Sequence, residues 1–457
     1  MANVFERLRE WFLQPLLGDT YVDKRNDVKN RRNYRNGVQK APLKSEDDCV
    51  IVNFCGLIAD RSVSMLFGKD ITFDLPGESD SPEQVYIDEV WKANRKRDIL
   101  KSVASYGTEA GTCYIKLLPD GTADSNGNLI PRLVVLDPAS IVMETEQNDC
   151  TIVIRYIIAY TTHDSETDKD VAYKQVIEQG SRLDETDGAY ILTGWVISDY
   201  HSDNYNRWIL DDTNIWEYDF PPIVHWKNLP KNGSPYGSPD ISDDIINLQD
   251  KFNFVVSNTA KIIKYHAHPK TWGRKFGKPN QANWGVDEMV LSDSDTAMLQ
   301  NLEMQSDLGS SLNFIKFLRQ AIFDIARSVD IDSLADKLGA LTNFGLRVLY
   351  QDALSKVEDK RGLYGEALIQ INHILLELAG FKNTDGGEII WFDVLPVDEV
   401  GQINALKTDM DLGLVSKQTA SNKRGYEWED EEQRLADEKV SGDNVGAALL
   451  RAFGQGK

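Results

Sequence analysis

Two stretches of this chain carry the same apolar seam over nearly the same length, so any fold it adopts must accommodate a pair of long rods. The first seam runs Ile241, Ile245, Leu248, Phe252, Val255, Thr259, Ile262, with apolar or neutral residues at alternating four- and three-residue steps. That spacing predicts a helix packed along its whole length. Its start is marked by Ser238 as cap, Pro239 at the first helical position, and Asp240, Asp243 and Asp244 near the positive end of the dipole. Its end is expected near Tyr265, before His268-Pro269.

The second seam, in 306–329, runs Leu308, Leu312, Ile315, Leu318, Ile322, Ile325, Val329. At 1.5 Å per residue the two helices span about 39 and about 36 Å, which predicts an antiparallel hairpin carrying the insert 266–305 at its far end. Each rod also bears apolar residues off its seam: Ile246, Phe254, Val256 and Ile263 on one, Phe314, Phe317 and Phe323 on the other. A two-helix projection cannot bury all of these by itself, and an exposed apolar patch of that size marks an interface. Each such side chain contributes about 1.5–3 kcal/mol when covered, so subunit–subunit packing is expected, with a β region folded over the hairpin as the alternative.

The stretch before the first rod, KNGSPYGSPDI at 231–241, is unusually stiff for a helix start.

The 457 residues allow two or three cores, and 41% hydrophobic with 27% charged residues is the balance of a folded chain. No apolar run approaches a membrane span of about 20 residues. The start, MANVFERLREWFLQPLLGD, reads as an amphipathic leader rather than a secretory signal. Cys49, Cys55, Cys113 and Cys150 have neither zinc spacing nor the density of a disulfide scaffold, so free thiols and synthesis in a reducing cytoplasm are expected. A net charge of −22 excludes tight wrapping of nucleic acid, which needs many Lys and Arg to displace counterions. It does not exclude a surface that stays near DNA without gripping it, since like charge repels phosphate.

Residues 1–100 read as helices with loops. Segment 24–44 holds eight basic side chains against one acidic, a pattern that usually marks a solvated face. Segment 50–71 has helical spacing and ends at Gly68. From about 110 to 226 the period becomes two: 112–118 and 132–136 form a hairpin, then 151–160, 170–178, 189–200 and 207–212 a mostly antiparallel sheet. Trp195, Trp208, Trp216 and Trp226 fall at its end, where packing explains them better than a ligand platform. Helical periodicity breaks and restarts around 339–345, a long helix runs on to Gly380, and beyond Pro396 the chain is helical and acidic.

Catalytic signatures are missing. In GRKFGKPN at 273–280 the glycines sit one residue too close for a phosphate loop, and Pro279 stands where a hydroxyl should bind magnesium. No HExxH, GxSxG or dinucleotide fingerprint occurs. His266 and His268 are two ligands, which do not make a metal site. The expectation is no enzyme, no cofactor and no metal. One charge feature stands out: 251–280 contains seven Lys or Arg and no acid, a basic island for a neighbouring subunit, an acidic partner or phosphate.

At GSPYGSPDISDDIINLQDKFN, 233–253, the Gly/Pro turn, acidic helix start and I-x-x-L-Q-D-x-x-N pattern resemble the approach to the stem of tailed-bacteriophage portal proteins, most like the SPP1-type. Further segments fit in order: 106–121, 136–146, the helix–insert–helix of 240–329, 339–354 and 413–438. The resemblance implies an α+β portal-type fold and a ring, typically of twelve subunits, at one capsid vertex of the virion. Through it DNA is packaged and ejected. By analogy 1–239 is the wing, 240–265 and 306–329 the stem, 266–305 the clip, 330–345 the channel loop, 346–395 wing and long helix, and 396–457 the crown. It implies DNA-facing Asp332, Asp336, Lys337 and Asn343 in the channel loop. It places stem phosphate contacts at Lys261 and Lys264, and clip contacts to the motor at Lys270, Arg274 and Lys275. The implied partners are sister copies, double-stranded DNA in transit, terminase, major capsid and scaffolding proteins and a head-tail adaptor, with no membrane.

Two rival readings differ in class: an oligomeric carbohydrate- or protein-binding module whose β region meets the ligand on a helical stalk, and a nucleic-acid-processing enzyme, for which no motif speaks.

Overall fold

A computed structural model describes residues 19–78, 80–123, 129–164, 169–183, 190–202, 207–267, 270–274, 296, 298–302, 308–331, 343–395, 399–423, 428 and 431–434. The fold is mixed α+β, and the chain divides into two compact units, Met1–Phe392 and Asp393–Lys457.

In the first unit, α1 (Asp19–Arg35) leads through an irregular segment to α2 (Phe54–Phe67), which Asn53 caps by accepting from the Gly56 N–H. Strand β1 (Thr72–Asp74) precedes α3 (Pro82–Ala93) and α4 (Lys96–Ala110). Strands β2 (Thr112–Ala123) and β3 (Leu129–Val135) form the expected hairpin. Then come β4 (Ile141–Thr145), β5 (Val153–Asp164), β6 (Lys169–Leu183), β7 (Tyr190–Ser202), β8 (Ile209–Trp216) and β9 (Ile223–Lys227). Two antiparallel sheets result, ordered β3-β2-β9 and β4-β5-β6-β7-β8, as the alternating β-branched runs require.

The rods are α5 (Asp243–Ala267) and α6 (Leu308–Ile325), with the paired strands β10 (Lys270–Arg274) and β11 (Met298–Leu302) between them in sequence. They are antiparallel: Ile241, Ile245 and Ile246 at the start of one share a cluster with Ile322, Phe323 and Ala326 at the end of the other. Helix α7 (Asn343–Leu349) follows, then a break at Tyr350 and the long α8 (Gln351–Leu378). Strand β12 (Glu388–Ile390) pairs with β1. In the second unit α9 (Glu399–Asp411) and α10 (Lys417–Lys423) are joined at Gly413, whose φ of +71° closes the end of α9.

Three details differ from the sequence reading. First, α5 starts at Asp243 with Ser242 as the capping side chain (Ile245 N–H to Oγ 3.5 Å), not at Pro239. The preceding residues are clamped instead. Asp240 N–H and Ile241 N–H both reach the Thr108 carbonyl, Gly237 N–H reaches Thr112 Oγ1, and Ser238 N–H reaches the Leu229 carbonyl. The stiff approach is thus stitched to the end of α4 and the start of β2, with backbone so close that a Cβ on Gly237 would lie 2.3 Å from the Gly111 carbonyl.

Second, α6 ends at Ile325, short of the seam residue Val329. Helix α6 stops in a Schellman turn, Ser328 N–H to Phe323 O and Arg327 N–H to Asp324 O, with Arg327 in the left-handed region at φ +50°. Its buried stripe is Leu318, Ile322, Phe323 and Ala326, with Ile315 beside it, while the seam residues Leu312 and Ile325 are each half exposed. The stripe is rotated because α2 supplies part of the contact. Phe54 packs edge-on against both Phe252 (5.0 Å) and Phe323 (5.4 Å), and Ile58 and Tyr34 join the same cluster. Helices α1 and α2, not the β region, therefore cover the root of the hairpin, and Ile246 and Phe323 are buried there.

Third, the basic segment is no solvated face. Arg32 donates to Glu109 (2.9 Å) and with both terminal nitrogens to Asp137, Arg35 donates to the same buried Glu109 (2.9 Å), and Arg31 pairs with Asp243 (3.0 Å). Lys24 donates to the Ile141 carbonyl and sits 3.8 Å over the Tyr236 ring, where burial lowers its pKa to about 7. Of the cysteines, Cys55 and Cys113 are buried free thiols, and Cys49 and Cys150 are half-buried ones.

Candidate functional site

One face of α5 carries Gln249, Asn253, Ser257 and Lys261 at four-residue intervals. The first three are fully buried, and they bond the backbone of the extended segment leading into α2. Gln249 accepts from the Phe54 N–H (3.1 Å) and donates to the Val52 carbonyl (2.6 Å). Asn253 accepts from the Val52 N–H (3.1 Å), and Ser257 both accepts from the Val50 N–H (2.9 Å) and donates to its carbonyl (3.2 Å). The match has a metric cause. Four helical residues rise about 6.0 Å and two extended residues about 6.6 Å, so helix side chains at every fourth position can substitute for a neighbouring strand. Gln39 ties the ladder to α2 by accepting from Asn253 (2.7 Å) and donating to Asn53 (3.0 Å).

The next rung is ionic. Lys261 and Lys264 approach opposite oxygens of Asp48, at 3.8 and 2.9 Å, with the carboxylate mostly covered and the lysines more exposed. The hydrogen bond from Lys264 is the chief reason that this carboxyl lies below its ordinary pKa. The two predicted phosphate contacts are thus brought together, and already hold an anionic group of their own chain.

Away from the ladder, Phe254 (43% exposed) and Ile263 (51%) on α5 and Leu312 (50%), Phe314 (42%) and Phe317 (61%) on α6 remain open, with the two α6 phenylalanines stacked at 6.2 Å. Covering Phe and Ile side chains is worth on the order of 1 kcal/mol each for the half still exposed.

At the root of the pair lies a buried charge cluster that the sequence reading missed. Asp240, read there as a dipole partner, has no exposed side-chain surface and accepts from Lys356 (2.6 Å), Lys360 (2.5 Å), Asn228 (3.1 Å) and Ser62 (3.2 Å). Burial alone would raise its carboxyl, but Lys360 and Lys356 outweigh that and hold it far below the usual range. Next to it, Tyr364 OH bonds Asn228 (2.9 Å) and Cys113 (3.2 Å), and burial pushes the Cys113 thiol up to about 12.

Of the other predicted residues, Asn343 opens α7, and Lys270 and Arg274 are the first and last residues of β10, paired in register with Leu302 and Met298. Asp332, Asp336, Lys337 and Lys275 lie outside the described residues. Trp195, Trp216 and Trp226 are buried, and Trp208 lies under Lys174 at 4.8 Å, so these rings pack rather than form an open platform. Among the described residues no cluster of three His, Cys, Asp or Glu is placed to hold a metal, and no helix is long and apolar enough to cross a membrane.

No curated protein matches the chain significantly. The family model of the phage portal proteins, SPP1 Gp6-like, matches residues 16–441, nearly the whole of it. That family is structural and non-enzymatic, a ring-forming component of the phage capsid that meets DNA and other phage proteins. A mixed α+β chain with a helix–insert–helix core matched over that length belongs to the SPP1 Gp6-like family of phage portal proteins.

Proposed function

We propose that copies of this chain close into a ring of twelve at one vertex of the capsid, and that duplex DNA passes through its centre during packaging and ejection. The observation that carries this reading is the apolar band Phe254, Ile263, Leu312, Phe314 and Phe317, left uncovered on a helical pair whose root is well packed. Sister pairs standing side by side would cover it. In this arrangement 1–239 and 346–395 form the wing, 240–265 and 306–329 the stem, 266–305 the clip, 330–345 the channel loop and 396–457 the crown.

The charge balance of −22 supports a channel that releases phosphate readily, since like charge repels the backbone and few cations hold it. Lys261 and Lys264 make weak phosphate contacts. Asp332, Asp336, Lys337 and Asn343 face the duplex from the channel loop. Lys270, Arg274 and Lys275 of the clip meet terminase and later the head-tail adaptor, while scaffolding and major capsid proteins surround the wing.

Negative-stain imaging of the purified chain tests the ring: annular particles are expected from the native sequence and dispersed monomers from Phe314→Glu with Phe317→Glu. A chain that stays monomeric at high concentration removes the proposal. Deleting 339–343 is expected to lower packaging while rings still form, and normally filled heads from that deletion remove the channel-loop role.

A further inference from the structure

The Lys261–Lys264 pair is one helical turn of α5, and its two ammonium groups close on the two oxygens of a single carboxylate, Asp48. Two cations on two oxygens of one anion is the arrangement by which such a pair would hold a backbone phosphate. The carboxylate is not there by chance. Asp48 closes the acidic 3₁₀ turn Glu46–Asp48, and the segment after it is pinned to α5 by the Ser257, Asn253 and Gln249 rungs, all buried. The register 54–249, 52–253, 50–257 continues to 48–261, so the ladder itself delivers Asp48 to the lysines.

We propose that Lys261 and Lys264 form a phosphate-binding site that Asp48 occupies as a tethered competitor, which keeps the chain's hold on passing DNA weak. This rests on the DNA-conduit reading. The lysines of these pairs face solvent, where salt screens their attraction for the carboxylate, so phosphate can displace it. Tethering holds the carboxylate at a high effective concentration, so the displacement is brief and reversible. A passing duplex is thus handed from carboxylate to phosphate and back. Bare lysines would hold it with the full counterion-release free energy.

The test is binding of a fluorescent 30-base-pair duplex to the full-length purified protein across a salt series. Asp48→Asn is expected to bind about tenfold more tightly at 0.1 M salt. It should also steepen the slope of log K against log salt by about 0.9 for each phosphate newly contacted. Adding Lys261→Gln and Lys264→Gln to Asp48→Asn is expected to cancel the gain. Asp47→Asn removes the same formal charge at the neighbouring position and is expected to give a much smaller change. The ladder does not depend on the Asp48 carboxylate, so the variant should melt like the native protein, which a thermal scan checks.

Equal affinities for native protein and Asp48→Asn overturn the proposal, as does a gain that survives loss of both lysines or is matched by Asp47→Asn. A gain seen with linear polyphosphate and not with duplex overturns its assignment to DNA. Ring formation, read by imaging, is a separate outcome. Its failure would sink the conduit reading, whereas equal binding by intact rings would sink only this site.

Discussion

Lys356 binds Asp240 at 2.6 Å and the Ala326 carbonyl at 2.9 Å, so one buried ammonium ties the chain just before α5 to the chain just after α6. It also supplies a cation to the carboxyl end of α6, where the dipole favours one. With Lys360 on the same carboxylate, α8 grips both helices at the root of the pair.

Removing members of this trio should cost unequal amounts. Asp240→Asn leaves two buried lysines without a counter-charge and is expected to destabilise by about 3–5 kcal/mol. Lys360→Met leaves a matched Lys356–Asp240 pair and is expected to cost clearly less. Urea unfolding of the two variants checks the order, and equal losses would show that the charges are not confined as described.

Two glycines should respond in opposite directions to the same added methyl. A Cβ on Gly237 meets the Gly111 carbonyl at 2.3 Å and the Leu229 carbonyl at 2.8 Å, both backbone atoms held by other bonds. Gly237→Ala is expected to lower stability by more than about 2 kcal/mol, as overpacking against fixed backbone does. Gly362, inside α8, has nothing within 4 Å of its Cβ position, so Gly362→Ala is expected to raise stability by about 0.5–1 kcal/mol. Thermal melts of the pair are the measurement.

Period carried most of what the sequence disclosed. The alternation in 151–160 and 170–178 placed β5 and β6, and the seam through Ile245 and Phe252 placed α5, because burial of one face follows directly from spacing. Position in space was not disclosed. Asp240, Asp243 and Asp244 look alike in sequence, yet the first is buried and the others are exposed, and the difference lies in Lys356 and Lys360 more than a hundred residues away. Arg32 and Arg35 likewise find their acids in Glu109 and Asp137. The polar ladder had a visible signal, since Gln249, Asn253 and Ser257 share one helix face. A search for apolar stripes alone passes over it.

Arg327 ends α6 in a conformation that suits glycine. A non-glycine residue at φ +50° carries roughly 1–2 kcal/mol of steric cost. Its ion pair with Asp359, 3.6 Å apart and half exposed on both sides, offsets little of that. Arg327→Gly is therefore expected to stabilise by about 0.5–1 kcal/mol after the added flexibility of the unfolded chain is counted. Arg327→Ala, which keeps the strain and loses the pair, is expected to gain nothing. Comparing their unfolding midpoints separates strain from charge.

His225 sets a pH dependence whose sign follows from its surroundings. The ring is largely buried, bonded through Nδ1 to Tyr156 OH at 2.8 Å and flanked by Tyr114, and burial first, then Lys227 and Lys24, lowers its pKa from 6.5 to about 4. In the unfolded chain the imidazole takes up its proton near 6.5, whereas in the folded chain it resists until about 4. The folded state thus binds fewer protons between these values, so stability is fully present above about 6.5 and is lost as pH falls toward 4. The shift corresponds to about 3 kcal/mol. Urea unfolding at pH 7 and pH 4.5 is expected to show this loss in the native chain. In His225→Gln, an uncharged side chain that can still bond Tyr156, most of that loss should disappear. An unchanged pH dependence in the variant would place the proton uptake on another group.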